Sequence, residues 1–240
     1  MVEQKRDEMV LSFYRVRTAL GLLGIFLPVV LIVGGLIYDR SIEPSISDFY
    51  HTVYRDIFVG TLCAIGVFLI SYRGYQLQDG ELFDDNWVAT VAGLSAFGVA
   101  LFPNEGPEEK LVILREAGVM LGTHPMLHYL SALVFFSCLA HFCYKFARTA
   151  KKRRRPIYLA CGWVIIVMLV AIAAASAIKI YGSGAAQQLV VDTKAVLVFE
   201  AIGIWAFGVS WLVKGRADIA LANLTGAQAL AIDDAELPKA

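Results

Sequence analysis

Three of the chain's four histidines lie beside apolar runs, at spacings that suit a metal site. His124 and His128 stand one helical turn apart in GTHPMLHY, and His51 stands in SISDFYHT, ahead of another apolar run. Three neutral imidazoles that leave a fourth position for water are a catalytic zinc arrangement. Zinc lowers the pKa of such a water toward ~7 and so supplies hydroxide for attack on a carbonyl. The pattern raises the hypothesis of a zinc-dependent hydrolase.

Polar residues near these histidines could complete the site. Ser47 lies four residues before His51, Asp48 lies three before it, and Asp56 lies five beyond it. Glu200 stands inside a later apolar run, where a carboxylate is costly in lipid, so we expect it to face the interior of the bundle. Ser47, Asp56 and Glu200 are therefore the candidate catalytic residues, with Asp56 or Glu200 carrying the proton.

The composition indicates an integral membrane protein. Of the 240 residues, 58% are hydrophobic and only 18% are charged, whereas soluble domains carry about 25% charged residues. The apolar residues come in blocks of about 20, the length that spans a bilayer as a helix. The lead before the first block carries charges of both signs and no small-residue cleavage site follows it, so we expect this block to remain as a helix.

The order of apolar blocks predicts an all-α, polytopic transmembrane bundle of six helices, which forms a single domain over residues 1–240. We expect a short amphipathic segment within 104–123. Residues 214–240 are expected to form a tail with a polar end. Pro103 ends the third block, as proline interrupts a helix. The predicted spans are 18–38, 53–72, 87–102, 125–147, 157–180 and 193–213.

The charge distribution predicts how these spans are oriented. The basic cluster KKRRR at 151–155 should lie in the cytoplasm by the positive-inside rule. With six spans, both termini are then cytoplasmic, and His51, His124 and His128 reach the opposite side at a similar depth. We expect the cytoplasmic membrane as the location, with the site on its extracytoplasmic side. Nothing in the sequence supports nucleic-acid binding.

Each of these features also has an ordinary structural interpretation. Histidine, tyrosine and phenylalanine at helix ends are typical membrane-interface residues. Pro125 disfavours the helical conformation at His124, which is then a cap residue rather than part of the helix. Ser47 could cap a helix, and Glu200 could pair with a basic residue. These interpretations leave open a structural membrane protein, or a transport or lipid-sensing protein with a polar pocket around Glu200.

Two family resemblances accompany these residues. Ser47-x-x-x-His51 followed by His124-x-x-x-His128 resembles the signature of the CREST superfamily of transmembrane hydrolases, which includes alkaline ceramidases and adiponectin receptors. The segments SISDFYHTVYRDIFVG, YRGY and WAFGVSWLVKG look like bacterial membrane proteins of the DUF998 type. The second resemblance covers most of the chain but implies little about function.

The CREST resemblance implies a zinc site and a reaction. His51, His124 and His128 would bind zinc, and Ser47 would support the metal-bound water or the developing oxyanion. The superfamily also uses an aspartate, and Asp56 is the acid on the predicted outer side. The resemblance thus implies a zinc-dependent hydrolase that cleaves a lipid or lipid-like amide or ester within the bilayer.

Overall fold

The protein is helical wherever the structure describes regular backbone. The computed structural model describes residues 2–40, 42–72, 74, 84–104 and 125–217, and no strand occurs in these ranges, which confirms the predicted all-α class. The described ranges contain seven α-helices: α1 (Val2–Gly34), α2 (Arg55–Ile70), α3 (Asp85–Leu101), α4 (Pro125–Thr149), α5 (Arg155–Tyr181), α6 (Gly184–Asp192) and α7 (Ala195–Lys214).

Within the described residues, four helical segments are long and apolar enough to cross a membrane, which agrees with the predicted multi-pass membrane protein. They are α4, α5, α7 and the segment Tyr14–Ile37, which starts in α1 and continues into the π-helical turn Gly35–Asp39. The other two predicted spans correspond to α2 and α3, which have 16 and 17 residues. At 1.5 Å per residue these helices measure about 24–26 Å, somewhat less than the ~30 Å hydrocarbon core.

The six long helices form a closed ring. Helix α1 packs against α2 and α7, and the remaining neighbours are α2 with α3, α3 with α4, α4 with α5, and α5 with α7. Helix α4 also contacts α7 across the ring. The first and last helices of the chain thus close the bundle, and side chains that point inward from several helices meet in one interior.

Glycines allow the closest helix pairs to approach. A Cβ atom at Gly93 of α3 would lie 2.6 Å from the carbonyl oxygen of Gly66 in α2. A Cβ atom at Gly208 of α7 would lie 2.9 Å from the carbonyl oxygen of Gly21 in α1. Lipid tails are as apolar as leucine, so membrane helices associate largely through close packing. Small residues at the crossings allow the two backbones to approach and make these contacts.

Aromatic side chains fill the end of the ring where α4 leads into α5. The Trp211 ring lies 5.2 Å from the rings of Tyr72 and Phe146 and 5.6 Å from that of Phe142, in edge-to-face geometry. Nearby, the Lys145 ammonium forms a buried ion pair of 2.7 Å with Asp85. This end is closed by packed rings, and the large cavity lies toward the opposite end.

The connections contain more structure than the sequence predicts. The predicted polar connection 39–52 includes a 3₁₀ turn at Ser47–His51, and the predicted loop after the fifth span contains α6. The predicted amphipathic piece, most of the acidic loop after the second span (76–86) and most of the tail lie outside the described residues.

We predict that Gly93→Ala destabilises the protein whereas Gly60→Ala does not. An added methyl at Gly93 meets the α2 backbone, and overpacking of this kind costs about 1–3 kcal/mol. A Cβ atom at Gly60 meets no atom within 4 Å, so this variant gains the usual helix preference of alanine over glycine, about 0.5–1 kcal/mol. The midpoints of thermal unfolding in detergent test the contrast, and equal midpoints would refute the close α2–α3 contact.

Candidate functional site

The site is built around the short segment that joins α1 to α2. This segment is tied to α7 because the Leu197 N–H donates to the Pro44 carbonyl oxygen at 3.0 Å. The Asp48 N–H donates to Ser45 Oγ at 3.0 Å, which caps the 3₁₀ turn. Ser45, Ser47 and Asp48 are all buried. The turn is thereby fixed inside the ring, although it belongs to no long helix.

Ser47 and His128 form the central contact of the site. Ser47 Oγ lies 2.9 Å from His128 Nε2, and His128 Nδ1 lies 2.8 Å from the carbonyl oxygen of Phe102. A carbonyl oxygen can only accept, so Nδ1 carries the proton and the neutral ring accepts at Nε2. The Ser47 hydroxyl therefore donates to His128. A hydroxyl that faces a base, with the base oriented by a third group, is the arrangement of an activated nucleophile.

The position of His128 follows from the end of α3. The last carbonyl groups of a helix have no partner within the helix, and the Phe102 carbonyl, one residue past Leu101, is satisfied by the imidazole. His128 lies in the first turn of α4 and is only 1% exposed. One buried side chain thus joins α4 to the end of α3 and to the segment before α2.

Glu200 completes the hydrogen-bond chain from the other side. Its Oε2 accepts the Ile46 N–H at 2.6 Å, and its Oε1 lies 3.4 Å from Ser47 Oγ. The Ser47 hydroxyl has one proton and lies within donor reach of both Glu200 Oε1 and His128 Nε2. When that proton is directed to His128, the contact with Glu200 is a hydrogen bond only if Glu200 is protonated. With a protonated Glu200, every donor in the series Glu200, Ser47, His128 and Phe102 has an acceptor.

A second group of polar residues lies beside this chain. Asp48 Oδ2 pairs with the Lys179 ammonium at 2.7 Å, and Asp48 Oδ1 accepts from Asn104 Nδ2 at 2.5 Å. His51 Nε2 lies 3.1 Å from Asn104 Oδ1 and 3.3 Å from the Asn104 carbonyl oxygen. Both of these atoms are acceptors, so His51 donates through Nε2. Asn104 thereby connects His51 to the ion pair.

A cavity of about 380 Å³ opens onto both polar groups. Its volume lies in the range of small-molecule sites, about 300–1,000 Å³. It runs between α4 and α5 and reaches α7, with an apolar wall and a polar floor. The polar residues in its lining include Ser47, His128, Lys179 and Glu200, and the apolar ones include Leu130, Leu133, Phe136, Leu169, Ile172 and Val196.

The structure brings some of the predicted site residues together and not others. Ser47, His128 and Glu200 form one hydrogen-bonded chain, and Glu200 lines the cavity, as its predicted inward orientation requires. Asp56 is exposed in the first turn of α2. Among the described residues it neither lines this cavity nor bonds to the chain. His124 lies outside the described residues.

The predicted zinc site receives partial geometric support. A histidine that binds metal usually donates its other ring N–H to a carbonyl or carboxylate, and His128 does this through Nδ1. Its Nε2, however, accepts from Ser47, and His51 Nε2 donates to Asn104. Within the described ranges no group of three or more His, Cys, Asp or Glu side chains could hold a metal ion. Zinc therefore stays a prediction that depends on His124.

Two members of the site were not assigned a role from the sequence. Asn104 follows Pro103 directly and lies beyond the predicted helix end, where no motif marks it. Lys179 stands near the end of a long apolar run, where a single cation is unusual; this is the one sequence signal that could have identified it. Its partner, Asp48, is distant in sequence and only packing brings the two together.

Comparison of the chain with family models, with curated proteins and with solved structures yields no match. The resemblances to the CREST superfamily and to DUF998-type proteins accordingly remain predictions.

We predict that Glu200→Gln preserves stability whereas Glu200→Ala does not. The glutamine amide can accept from Ile46 N–H and donate to Ser47 Oγ, which reproduces the bonds of a protonated carboxyl. Alanine leaves the Ile46 N–H without its partner, which costs about 1–3 kcal/mol. Thermal unfolding in detergent gives the comparison. Equal losses in the two variants would show that Glu200 acts as an acceptor at both oxygens, contrary to the assigned proton.

Proposed function

We propose that the protein is an intramembrane hydrolase that cleaves an ester or amide of a lipid-like molecule. Ser47 is the nucleophile and His128 is the general base. The observation that carries this proposal is the 2.9 Å contact between Ser47 Oγ and His128 Nε2 in the lining of an amphipathic cavity. The apolar wall suits a hydrocarbon chain, and the polar floor places the reacting carbonyl beside Ser47.

The proposed reaction uses two half-reactions. Ser47 Oγ attacks the carbonyl carbon of the substrate while its proton passes to His128 Nε2, and the tetrahedral oxygen accepts a hydrogen bond from protonated Glu200. The bond to the leaving alcohol or amine then breaks, and the leaving group takes the proton from His128. Water cleaves the acyl-Ser47 ester by the same steps, which releases the acid and restores the serine.

The chain's own geometry supports each role. The Phe102 carbonyl holds the His128 ring so that Nε2 faces Ser47, as a base must be oriented before it can accept the proton. When the His128 ring takes up a proton, the Phe102 carbonyl stabilises the charged ring by accepting the hydrogen bond from Nδ1–H. Glu200 is positioned by the Ile46 N–H, so its second oxygen is directed to the region of Ser47.

The membrane arrangement is part of the proposal. In this proposal the protein crosses the cytoplasmic membrane six times, and α2 and α3 are the two short spans. Both termini and the basic cluster 151–155 then lie in the cytoplasm. The site then lies toward the extracytoplasmic side. The proposed partners of the protein are the lipid bilayer and the lipid-like substrate. The substrate would enter between α4 and α5.

A zinc-dependent route is the version implied by the CREST resemblance. His51, His124 and His128 would hold the ion, which would activate a water for attack on the same carbonyl. In the structure the Nε2 atoms of His51 and His128 are occupied by Asn104 and Ser47. These contacts favour the serine route, and the response of the rate to a chelator distinguishes it from the zinc route.

The second candidate is a non-catalytic transport or lipid-sensing protein with its pocket at Glu200. The observation in its favour is that Glu200 lines a cavity large enough for a ligand. Transport requires polar access to both sides of the membrane. The buried cluster of Trp211, Tyr72 and Phe142 at the opposite end favours a closed bundle, and hence the hydrolase.

We expect the purified protein to hydrolyse long-chain fluorogenic esters. The Ser47→Ala and His128→Ala variants should lose this activity. Removing a general base costs about 10²–10⁴-fold in rate, and Ser47→Ala should lose at least as much. Ser137→Ala is the matched control, because Ser137 is an exposed serine of α4 that bonds only within its own helix. Its rate should equal that of the wild type.

The same assay separates the two routes. Chelator treatment should leave the rate unchanged, and elemental analysis should find no stoichiometric zinc. A rate that is lost with chelator and restored by zinc would replace the serine route with the zinc route. If the wild-type protein hydrolyses no long-chain ester or amide, the serine route and the zinc route are both contradicted. That result would favour the lipid-sensing candidate.

A further inference from the structure

The ion pair of Asp48 and Lys179 gives the cavity a charge preference. Lys179 lies two residues before the end of α5, and its side chain is 25% exposed, against 10% for Asp48. Lys179 lines the cavity. Since both oxygens of Asp48 are occupied, one by Asn104 and one by Lys179, the ammonium is the charged group that remains available to a ligand.

The hydrogen-bond capacity of Lys179 is only partly used. An ammonium has three N–H donors, and among the described residues its partner is Asp48. Two donors remain for a ligand. In the protonated form that the proposed reaction uses, Glu200 adds no negative charge to the floor, so Lys179 is the charged group among the described lining residues.

Lys179 also lies close to the reacting centre. Asp48, which contacts its ammonium, directly follows Ser47 in the chain. A group bound to Lys179 is therefore a short distance from a carbonyl bound at Ser47. In phosphate-bearing glycerolipids, a short glycerol unit separates the phosphate from the acyl ester, which is compatible with Lys179 and Ser47 lining the same cavity.

We infer that the cavity binds a single-chain lipid with an anionic phosphate headgroup, with the phosphate on Lys179 and the chain along the wall between α4 and α5. This assignment deepens the proposed hydrolase, since it names the substrate class of the same site. The occupant follows from charge complementarity at Lys179 and from the apolar wall formed by residues such as Leu130, Leu133 and Leu169.

Lipid binding to the full chain tests this assignment without any need for hydrolysis. The binding is measured by native mass spectrometry from neutral detergent in the Ser47→Ala background, where the proposed reaction cannot occur. The two probes carry the same acyl chain: a 1-acylglycerol 3-phosphate and the corresponding neutral 1-acylglycerol. The phosphate lipid should bind at least about tenfold more tightly, since a hydrogen bond to a charged group contributes about that factor or more.

Substitutions at the ion pair give effects of opposite sign. Lys179→Gln should remove the preference for phosphate, and Lys179→Arg should keep it. Asp48→Asn should increase the preference, because it keeps one oxygen for Lys179 and removes the competing negative charge. The Asn104 amide then has to turn over, so that its oxygen accepts from the new amide and its N–H₂ faces His51, which accepts in its other tautomer. A merely structural ion pair would instead make Asp48→Asn and Lys179→Gln equally harmful, which would overturn the assignment.

Two further outcomes would also overturn it. Equal affinity for the two lipids would show that Lys179 does not bind the phosphate headgroup. Competition by inorganic phosphate at the same concentration as the lipid would indicate a site for a free anion rather than a lipid. If the phosphate preference holds while wild-type protein cleaves no ester, the binding assignment stands and the hydrolase proposal fails, so the two are distinguishable.

Discussion

One buried imidazole holds the functional end of this protein together. His128 satisfies the Phe102 carbonyl that the end of α3 leaves without a partner, and its Nε2 accepts a hydrogen bond from the Ser47 hydroxyl. Non-helical backbone at membrane depth is tolerated only where protein satisfies its polar groups. The segment before α2 meets this requirement through side chains: Glu200 accepts from Ile46, and Ser45 accepts from Asp48. The bonds that stabilise this irregular segment are the same bonds that could activate a nucleophile.

The ring of helices explains why the polar residues gather at one end. Where α4 leads into α5, aromatic side chains pack around Trp211 and leave little space. At the other end the ring contains the short segment before α2, and α4 and α5 have a cavity between them. The apolar residues of the cavity lie mainly on α4 and α5, and Ser47, His128, Lys179 and Glu200 form its polar floor. This arrangement suits an amphipathic substrate better than a small polar one.

The sequence predicts the elements of this fold better than its site. Long apolar runs identify α5 as 157–180, against the observed Arg155–Tyr181, because span length and hydrophobicity are local properties. The cost of a carboxylate in lipid correctly predicts that Glu200 faces inward. Local patterns do not predict which polar atoms meet. His51 bonds to Asn104, and Lys179 pairs with Asp48 across more than a hundred residues of chain, so both contacts depend on how the helices pack.

The spacing of Ser47, His51 and His128 is compatible with a metal site and with a serine–histidine pair, and only the orientation of the imidazole distinguishes them. The most direct measurement is to locate the covalent label after reaction of the purified protein with a long-chain alkyl fluorophosphonate, which loses fluoride when an activated serine attacks its phosphorus. Peptide mapping by mass spectrometry should find the label on Ser47, and the His128→Ala variant should not be labelled. No label, a label on another residue, or undiminished labelling in the variant would contradict the assignment of Ser47 as a nucleophile activated by His128.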